Sequence, residues 1–401
     1  MDVPPSIGNL LASREGVGPG FDVLRIALAL SVVGWHSIYI ANGVDPFVQT
    51  PFIWFPGYAI LSMFFALSGF LITASAMRLS LADFIVNRGM RIIPALLVEI
   101  VLSAIVLGAA FTTLPWAEYF QSHGFWRYFG NVAGFVSFTL PGVFEGNPGP
   151  SVNVSLWTIP YEIGWYILMA ALILSRCLHR PRVILALCTA FCIMAIAVYL
   201  TGLPSGAVSL FRDPRNIFVG DGSRLFISFL LGIAFYVYRF DIAHSRRTAC
   251  ACALLCLAVA AVGPLPTALL NVFVTPLLVY LTVYIGVSDL PKLPLFRRGD
   301  YSYGIYLYGY PLQQTLVALL PLQGSAFLLF VAVLPVVTGF AMFSWHAIER
   351  PILKMRRHFS FVAGMRIPDA GPVVRPEPPT HAFDGRVEVG AIRAARPSSA
   401  V

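Results

Sequence analysis

Ten runs of apolar residues, each close to the twenty or so needed to cross a bilayer as a helix, constrain this chain more than any motif does. They fall at about 22–42, 55–77, 92–111, 155–175, 183–202, 223–238, 247–263, 267–287, 302–320 and 326–347. Backbone in lipid must satisfy its own N–H and C=O groups, so runs of this length read as helices. The expected fold is all-α, a polytopic membrane protein of about ten transmembrane helices. A shorter run at 128–141 is expected to be re-entrant or interfacial. Only 11% of residues are charged and 58% are hydrophobic, against about a quarter charged in soluble domains.

The net charge of +8 is explained by topology rather than by nucleic acid. Alternate connections are basic: Arg78, Arg88 and Arg91; Arg176, Arg180 and Arg182; Arg239, Arg246 and Arg247; Lys292, Arg297 and Arg298. The flank after the last run adds Arg350, Lys354, Arg356 and Arg357, whereas the opposite set holds only Arg127, Arg212, Arg215 and Arg224. By the positive-inside rule both termini are expected in the cytoplasm. Residues 1–20 then form a cytoplasmic N-terminal segment and 21–358 the transmembrane domain. Residues 359–401, rich in Pro, Arg, Ser and Gly, are expected to be a disordered cytoplasmic tail. No cleavable signal pattern precedes the first run, so that span is expected to be retained. The six cysteines all lie in or beside apolar runs. Cys188 and Cys192 are four apart with no His or carboxylate to complete a ligand set, so neither a disulfide framework nor a metal site is expected.

Ionisable residues at membrane depth are the candidates for chemistry, because each is costly unless it faces a polar cavity or a partner. Arg25 and His36 both lie in the first run, FDVLRIALALSVVGWHSIYIAN. Eleven residues return to within about 20° of the starting azimuth, so both side chains share one stripe roughly 16 Å apart. For Arg25 alone, snorkelling to the headgroups is an equal reading. Arg88 and Arg91, three apart, share a helix face and can grip one anion, although positive-inside arginines are expected there whatever the function. Glu162 opens the fourth run, where it is either an interfacial carboxylate beside Trp157 and Trp165 or a partner for His36. Glu99 is a further buried carboxylate candidate.

Six stretches in order resemble the membrane-bound acyltransferase family 3, which includes O-antigen and exopolysaccharide O-acetylases. They are FDVLRIALALSVVGWH, FFALSGFLI, RGMRIIP, SLWTIPYEI, YSYGIYLYGYP and IERP, running from Phe21 to Pro351. The resemblance implies an O-acyltransferase of about ten helices in a bacterial inner membrane. It implies an acyl-CoA donor, usually acetyl-CoA, as co-substrate rather than a bound cofactor, and a glycan or other envelope acceptor. Arg25 and His36 match the family's first-span pair, Arg88 and Arg91 its donor-side arginines, and Glu162 its fourth-span acid. Gly309 stands where many members carry His. No fused extracytoplasmic hydrolase-like domain is expected.

On this reading His36 is the general base or is itself transiently acylated, Arg25 supplies positive charge toward the thioester, Arg88 and Arg91 hold CoA phosphates, and Glu162 orients His36 or the acceptor. His36 then lies roughly 20 Å along its helix, past the midplane, so the pantetheine arm must thread inward or the acyl group must be relayed. The rival class is a proton-coupled secondary transporter of a glycan precursor or acyl donor, which would favour inverted repeats and helices broken at the midplane.

Overall fold

A computed structural model describes residues 4–16, 18–43, 50–201, 220–291, 294–297 and 299–359. The expected tail beyond Phe359 and the connections carrying Arg212, Arg215, Lys292 and Arg298 lie outside the described residues. Within them the fold is all-helical, with two isolated β-bridges, Ser6–Ala243 and Thr112–Val143, in place of any strand.

A short helix α1 (Ile7–Ser13) precedes α2 (Phe21–Asn42) and α3 (Trp54–Ala76). Helix α4 (Leu81–Val101) continues through a π-helical segment, Leu102–Leu107, into α5 (Gly108–Phe111). Two short helices, α6 (Trp116–Gln121) and α7 (His123–Tyr128), start a long connection. It ends in a 3₁₀ turn, Val154–Thr158, that feeds α8 (Ile159–Leu174). Then come α9 (Pro181–Leu200), α10 (Gly220–Val237), α11 (Arg246–Val262), α12 (Thr267–Phe273), α13 (Thr275–Val287) and α14 (Ser302–Leu319). Helix α15 (Ala326–Ser344) passes through a π-helical turn, Trp345–Glu349, into α16 (Arg350–Phe359).

Every one of the ten apolar runs is helical. Six helices or continuous helical stretches, at Phe21–Asn42, Trp54–Ala76, Leu81–Phe111, Val154–Leu174, Pro181–Leu200 and Ala326–Met355, are long and apolar enough to cross a membrane. The pair α12 and α13, bent by 48° at Val274, makes a seventh if taken as one span. Pro276 has no N–H to offer the Val272 carbonyl, which weakens the ladder at that bend. The polar groups there satisfy one another: the Tyr58 hydroxyl donates to Asn271 Oδ1 at 3.0 Å and shares a hydrogen with Thr275 at 2.6 Å, while Asn271 Nδ2 donates to Ser223 at 2.8 Å.

Two sequence expectations shift. The third helix starts eleven residues earlier than its apolar run, because Ser80 caps it: the Ser80 Oγ accepts from the Asp83 N–H at 3.1 Å and donates to the Asp83 carboxylate at 2.7 Å. Arg88 and Arg91 therefore sit inside α4 rather than in the connection before it. The stretch 128–141 is the end of α7, a 3₁₀ turn and extended chain, held by Asn131, whose side chain bonds the backbones of Tyr128 and Ser137. The part of this connection that reaches in among the helices comes later, at 147–153. Gln314 of α14 takes hold of it there, accepting from Asn147 at 2.7 Å and donating to the carbonyls of Gly149 and Ser151.

Lipid supplies no hydrophobic drive between helices, so close packing depends on small residues that let backbones approach. Helices α3 and α10 use glycine from both sides. A Cβ at Gly69 would overlap the Phe229 carbonyl, and one at Gly232 would overlap the Ala66 carbonyl. This contact sets Phe65 and Ile72 of α3 against Phe229 of α10 in one buried cluster with Trp165 of α8. That cluster walls the cavity described next.

Candidate active site

Arg25, Arg88, Arg91 and Glu162 line a single cavity of about 140 Å³. Its floor and walls are apolar, from Leu61, Phe65, Ile72, Trp165 and Phe229; its polar lining adds Ser302, Tyr303 and Tyr306 of α14. The lining holds three guanidiniums and one carboxylate, and how much of that positive charge faces a ligand depends on the counter-ions behind it.

The guanidiniums are not equivalent. Arg25 Nη1 lies 3.0 Å from Asp300 Oδ2, and Arg91 Nη2 lies 2.6 Å from the same oxygen. Arg91 Nη1 also reaches Glu349 at 3.4 Å, and its guanidinium lies 5.6 Å from the Trp345 ring centroid. Arg91 is thus occupied by the protein. Arg88 is not: it donates to the Ser75 hydroxyl at 3.2 Å, and its buried Nε has no hydrogen-bond partner among the described residues. Of the arginine pair, Arg88 is the one with donors to spare for a ligand.

Asp300 and Glu349 are the residues that sequence reasoning passed over. Both stood beside or inside motifs, Asp300 just before YSYGIYLYGYP and Glu349 within IERP. Nothing in one sequence revealed that they meet on Arg91. Ser302 donates to Asp300 Oδ1 at 2.6 Å. Burial pushes the Asp300 carboxyl up, and the guanidiniums of Arg91 and Arg25, with the Ser302 bonds, more than reverse this, holding it well below the usual carboxylate range. Glu349 is buried and belongs to the π-helical turn between α15 and α16, a local geometry that recurs at functional sites.

Glu162 sits on the arginine side, not the histidine side. Its Oε1 accepts from the Tyr166 hydroxyl at 2.9 Å, one turn along α8. The expected pairing with His36 gives way to this arrangement because the chain before α8 descends deep among the helices, so that Glu162 lies one turn past Thr158 at the level of the arginines. Thr158 and Tyr306 share a hydrogen bond at 2.7 Å on the cavity wall.

His36 is outside the lining of this cavity. It lies on α2 three turns beyond Arg25, and both residues face α14, as their common stripe requires. Arg25 meets Asp300, just ahead of α14, and the His36 ring packs edge-on against Tyr310 with centroids 5.0 Å apart. Nearby groups are neutral: Gln313 donates to the Val33 carbonyl at 2.9 Å and to Ser37. Gly309 explains how α2 and α14 come so close here. A Cβ at that position would lie 2.7 Å from Val33 Cγ2, inside van der Waals contact, so a side chain as large as the family's His does not fit this packing. Tyr306, on the cavity, and Tyr310, on His36, are one helical turn apart. The Phe64 ring, which also lines the cavity, lies 6.0 Å from that of Tyr306.

Comparison with known proteins identifies the family. The acyltransferase-domain model of acyltransferase family 3 matches residues 19–346. The chain is 27% identical to the O-acetyl transferase of Shigella phage Sf6, covering 83% of this chain and 95% of the phage protein. It is 27% identical to nodulation protein 10 of Rhizobium leguminosarum bv. viciae, with 84% and 93% covered. It is also 27% identical to the peptidoglycan O-acetyltransferase OatA of Listeria monocytogenes, covering 85% of this chain but 56% of that protein. No solved structure matches the chain.

Proposed function

The chain belongs to acyltransferase family 3, and from that premise we propose that it moves an acetyl group from acetyl-CoA to a hydroxyl of a cell-envelope glycan. The observation that carries this reading is the cavity: an arginine-lined, partly apolar site between α3, α4, α8 and α14, holding Arg88 with unused donors. Arg88 binds a phosphate oxygen of CoA, since a guanidinium recognises phosphate with planar, charge-assisted bonds. Arg25 and Arg91, clamped by Asp300, keep a fixed positive field beside it without moving toward the ligand. The apolar wall of Phe65, Ile72, Trp165 and Phe229 packs against the pantetheine arm as it leaves Arg88.

The acceptor hydroxyl meets His36. As the hydroxyl oxygen attacks the thioester carbonyl carbon, His36 takes its proton, the C–S bond breaks, and the proton passes to the leaving thiolate. Arg25 and His36 are eleven residues apart on α2, roughly 16 Å along the axis, a distance an extended pantetheine arm can span past Tyr306. A donor held on one side and an acceptor on the other fits the topology expected from the basic loops, with ten crossings and both termini in the cytoplasm. The relatives named as O-acetyl transferase and peptidoglycan O-acetyltransferase support a glycan acceptor. Membership of the family and the ordered motifs place the transporter reading second.

The test is purified protein in detergent, supplied with acetyl-CoA and a mixture of envelope glycans, followed by mass spectrometry of the glycans. A gain of acetyl mass on one glycan, with stoichiometric release of free CoA, is the expected result. No release of CoA and no acetylated product from well-folded protein would sink the donor assignment.

A further inference from the structure

Glu99 takes no part in the mechanism above, yet it is 1% exposed near the end of α4. Its Oε1 accepts two hydrogen bonds, from Ser103 at 2.8 Å and from Asn153 Nδ2 at 2.9 Å. The same Asn153 amide donates to the Leu307 carbonyl of α14 at 3.0 Å. That carbonyl is free for a reason written in the sequence: its helical partner four residues on is Pro311, which has no N–H. Asn153 supplies the missing donor. The other end of its amide, Oδ1, accepts from the Ser155 N–H at 3.0 Å and so caps the 3₁₀ turn that leads to Thr158 and Glu162. Tyr306 completes the junction by donating to the Ser155 carbonyl at 2.9 Å.

One carboxylate oxygen thus joins three elements that each carry part of the cavity. Helix α4 carries Arg88 and Arg91, the turn before α8 carries Thr158 and then Glu162, and α14 carries Ser302, Tyr303 and Tyr306. Asn153 and Leu307 are fully buried, and Ser103 and Ser155 nearly so, so water is not available to replace the bonds. Helix α4 needs such a tie. Pro94 interrupts its ladder between Arg91 and Glu99, and a π-helical segment begins three residues after Glu99; both are places where helices bend.

We propose that Glu99 is a positioning residue: through Asn153 it locks α4 to α14 and to the start of α8, and so fixes the distance between Arg88 and the Thr158–Glu162 wall. It works by accepting hydrogen bonds, not by exchanging a proton with substrate. The effect rests on the acetyl-CoA reading of the cavity, and turnover of acetyl-CoA by the unaltered protein is the control that fails if that reading is wrong.

The experiment is steady-state kinetics with acetyl-CoA for Glu99→Ala, Glu99→Gln, Asn153→Ala and the double variant Glu99→Ala/Asn153→Ala, each checked for a monodisperse, folded species in detergent. A displaced site costs on the order of tenfold or more, so Glu99→Ala and Asn153→Ala are expected each to raise KM for acetyl-CoA about tenfold. The double variant is expected to be no worse than either alone, because both act through one junction. Glu99→Gln, which keeps the acceptor oxygen, is expected to restore KM and to leave the pH profile unchanged. Should Glu99→Ala fail to fold, Glu99→Gln and Asn153→Ala carry the same test. A Gln variant as impaired as Ala, multiplied effects in the double variant, or an unchanged KM in Asn153→Ala would each overturn the proposal.

Discussion

The two ends of the stripe on α2 are built from opposite materials. At the Arg25 end every charge answers another: Arg25 and Arg91 share Asp300, Arg91 also holds Glu349, and only Arg88 keeps donors in reserve. At the His36 end there is no ion pair among the described residues, only an aromatic edge, amide side chains and backbone carbonyls. The first arrangement fixes two guanidiniums in place and leaves the donors of a third open, which suits an anionic ligand. The second leaves an imidazole free of competing partners, which a base needs if it is to take a proton from substrate. A charged network at His36 would fix its protonation state, and a neutral one at Arg25 would have no attraction for phosphate.

The contrast can be broken most severely at His36. Replacing it by Ala is expected to lower acetyl transfer by a factor of about 10² to 10⁴, the range for a lost general base, while binding of acetyl-CoA, followed by calorimetry, stays as it was. A variant that still transferred acetyl at the normal rate would remove the base from this end.

Asp300→Asn attacks the other end. Two guanidiniums would lose their common counter-ion, and removing one partner of a buried pair costs about 3–5 kcal/mol. Asp300 is partly open to solvent, at 23%, so roughly half of that is expected as lost stability in a detergent melt. The pH dependence has a definite sign. The folded carboxyl titrates below its unfolded value, so its contribution is present above the usual carboxylate range and fades as pH falls toward the folded value. The unaltered protein is expected to lose stability on acidification more steeply than Asp300→Asn does.

Arg88→Ala sharpens the difference between the paired arginines. It is expected to weaken acetyl-CoA binding by about 2 kcal/mol, the scale of a charge-assisted bond, with little change in melting temperature. Arg91→Ala is expected to do the reverse in emphasis, lowering stability because Asp300 and Glu349 are left facing each other. Equal effects of the two on binding and on stability would erase the distinction. The smallest expected effect is at the close approach of α2 and α14. Gly309→Ala overpacks Val33 and is expected to cost about 1–3 kcal/mol, and Val33→Ala in the same molecule to recover part of it.

That the ten apolar runs are helical, and that the ionisable residues within them are the ones to watch, was legible in the chain, because both follow from local rules. An apolar run must become a helix in lipid, and a charge inside one must have a reason to be there. Arg25, Arg88, Arg91 and Glu162 were found that way, and they do converge. The common face of Arg25 and His36 followed from helical periodicity alone.

What only the tertiary structure decided was pairing. Asp300 and Glu349 are ordinary acidic residues in sequence and become clamps only when α14 and α15 bring them to Arg91. Glu162 went to the arginines instead of to His36 because the connection before α8 dives inward, a path set by Gln314 and Asn153 rather than by anything near Glu162. Gly309 could be seen to differ from the family; that its missing side chain is the space Val33 occupies could not. Periodicity acts over a few residues of one helix, whereas a counter-ion or a clash comes from residues 150 to 300 positions away, and no single chain read along its length records which of them will meet.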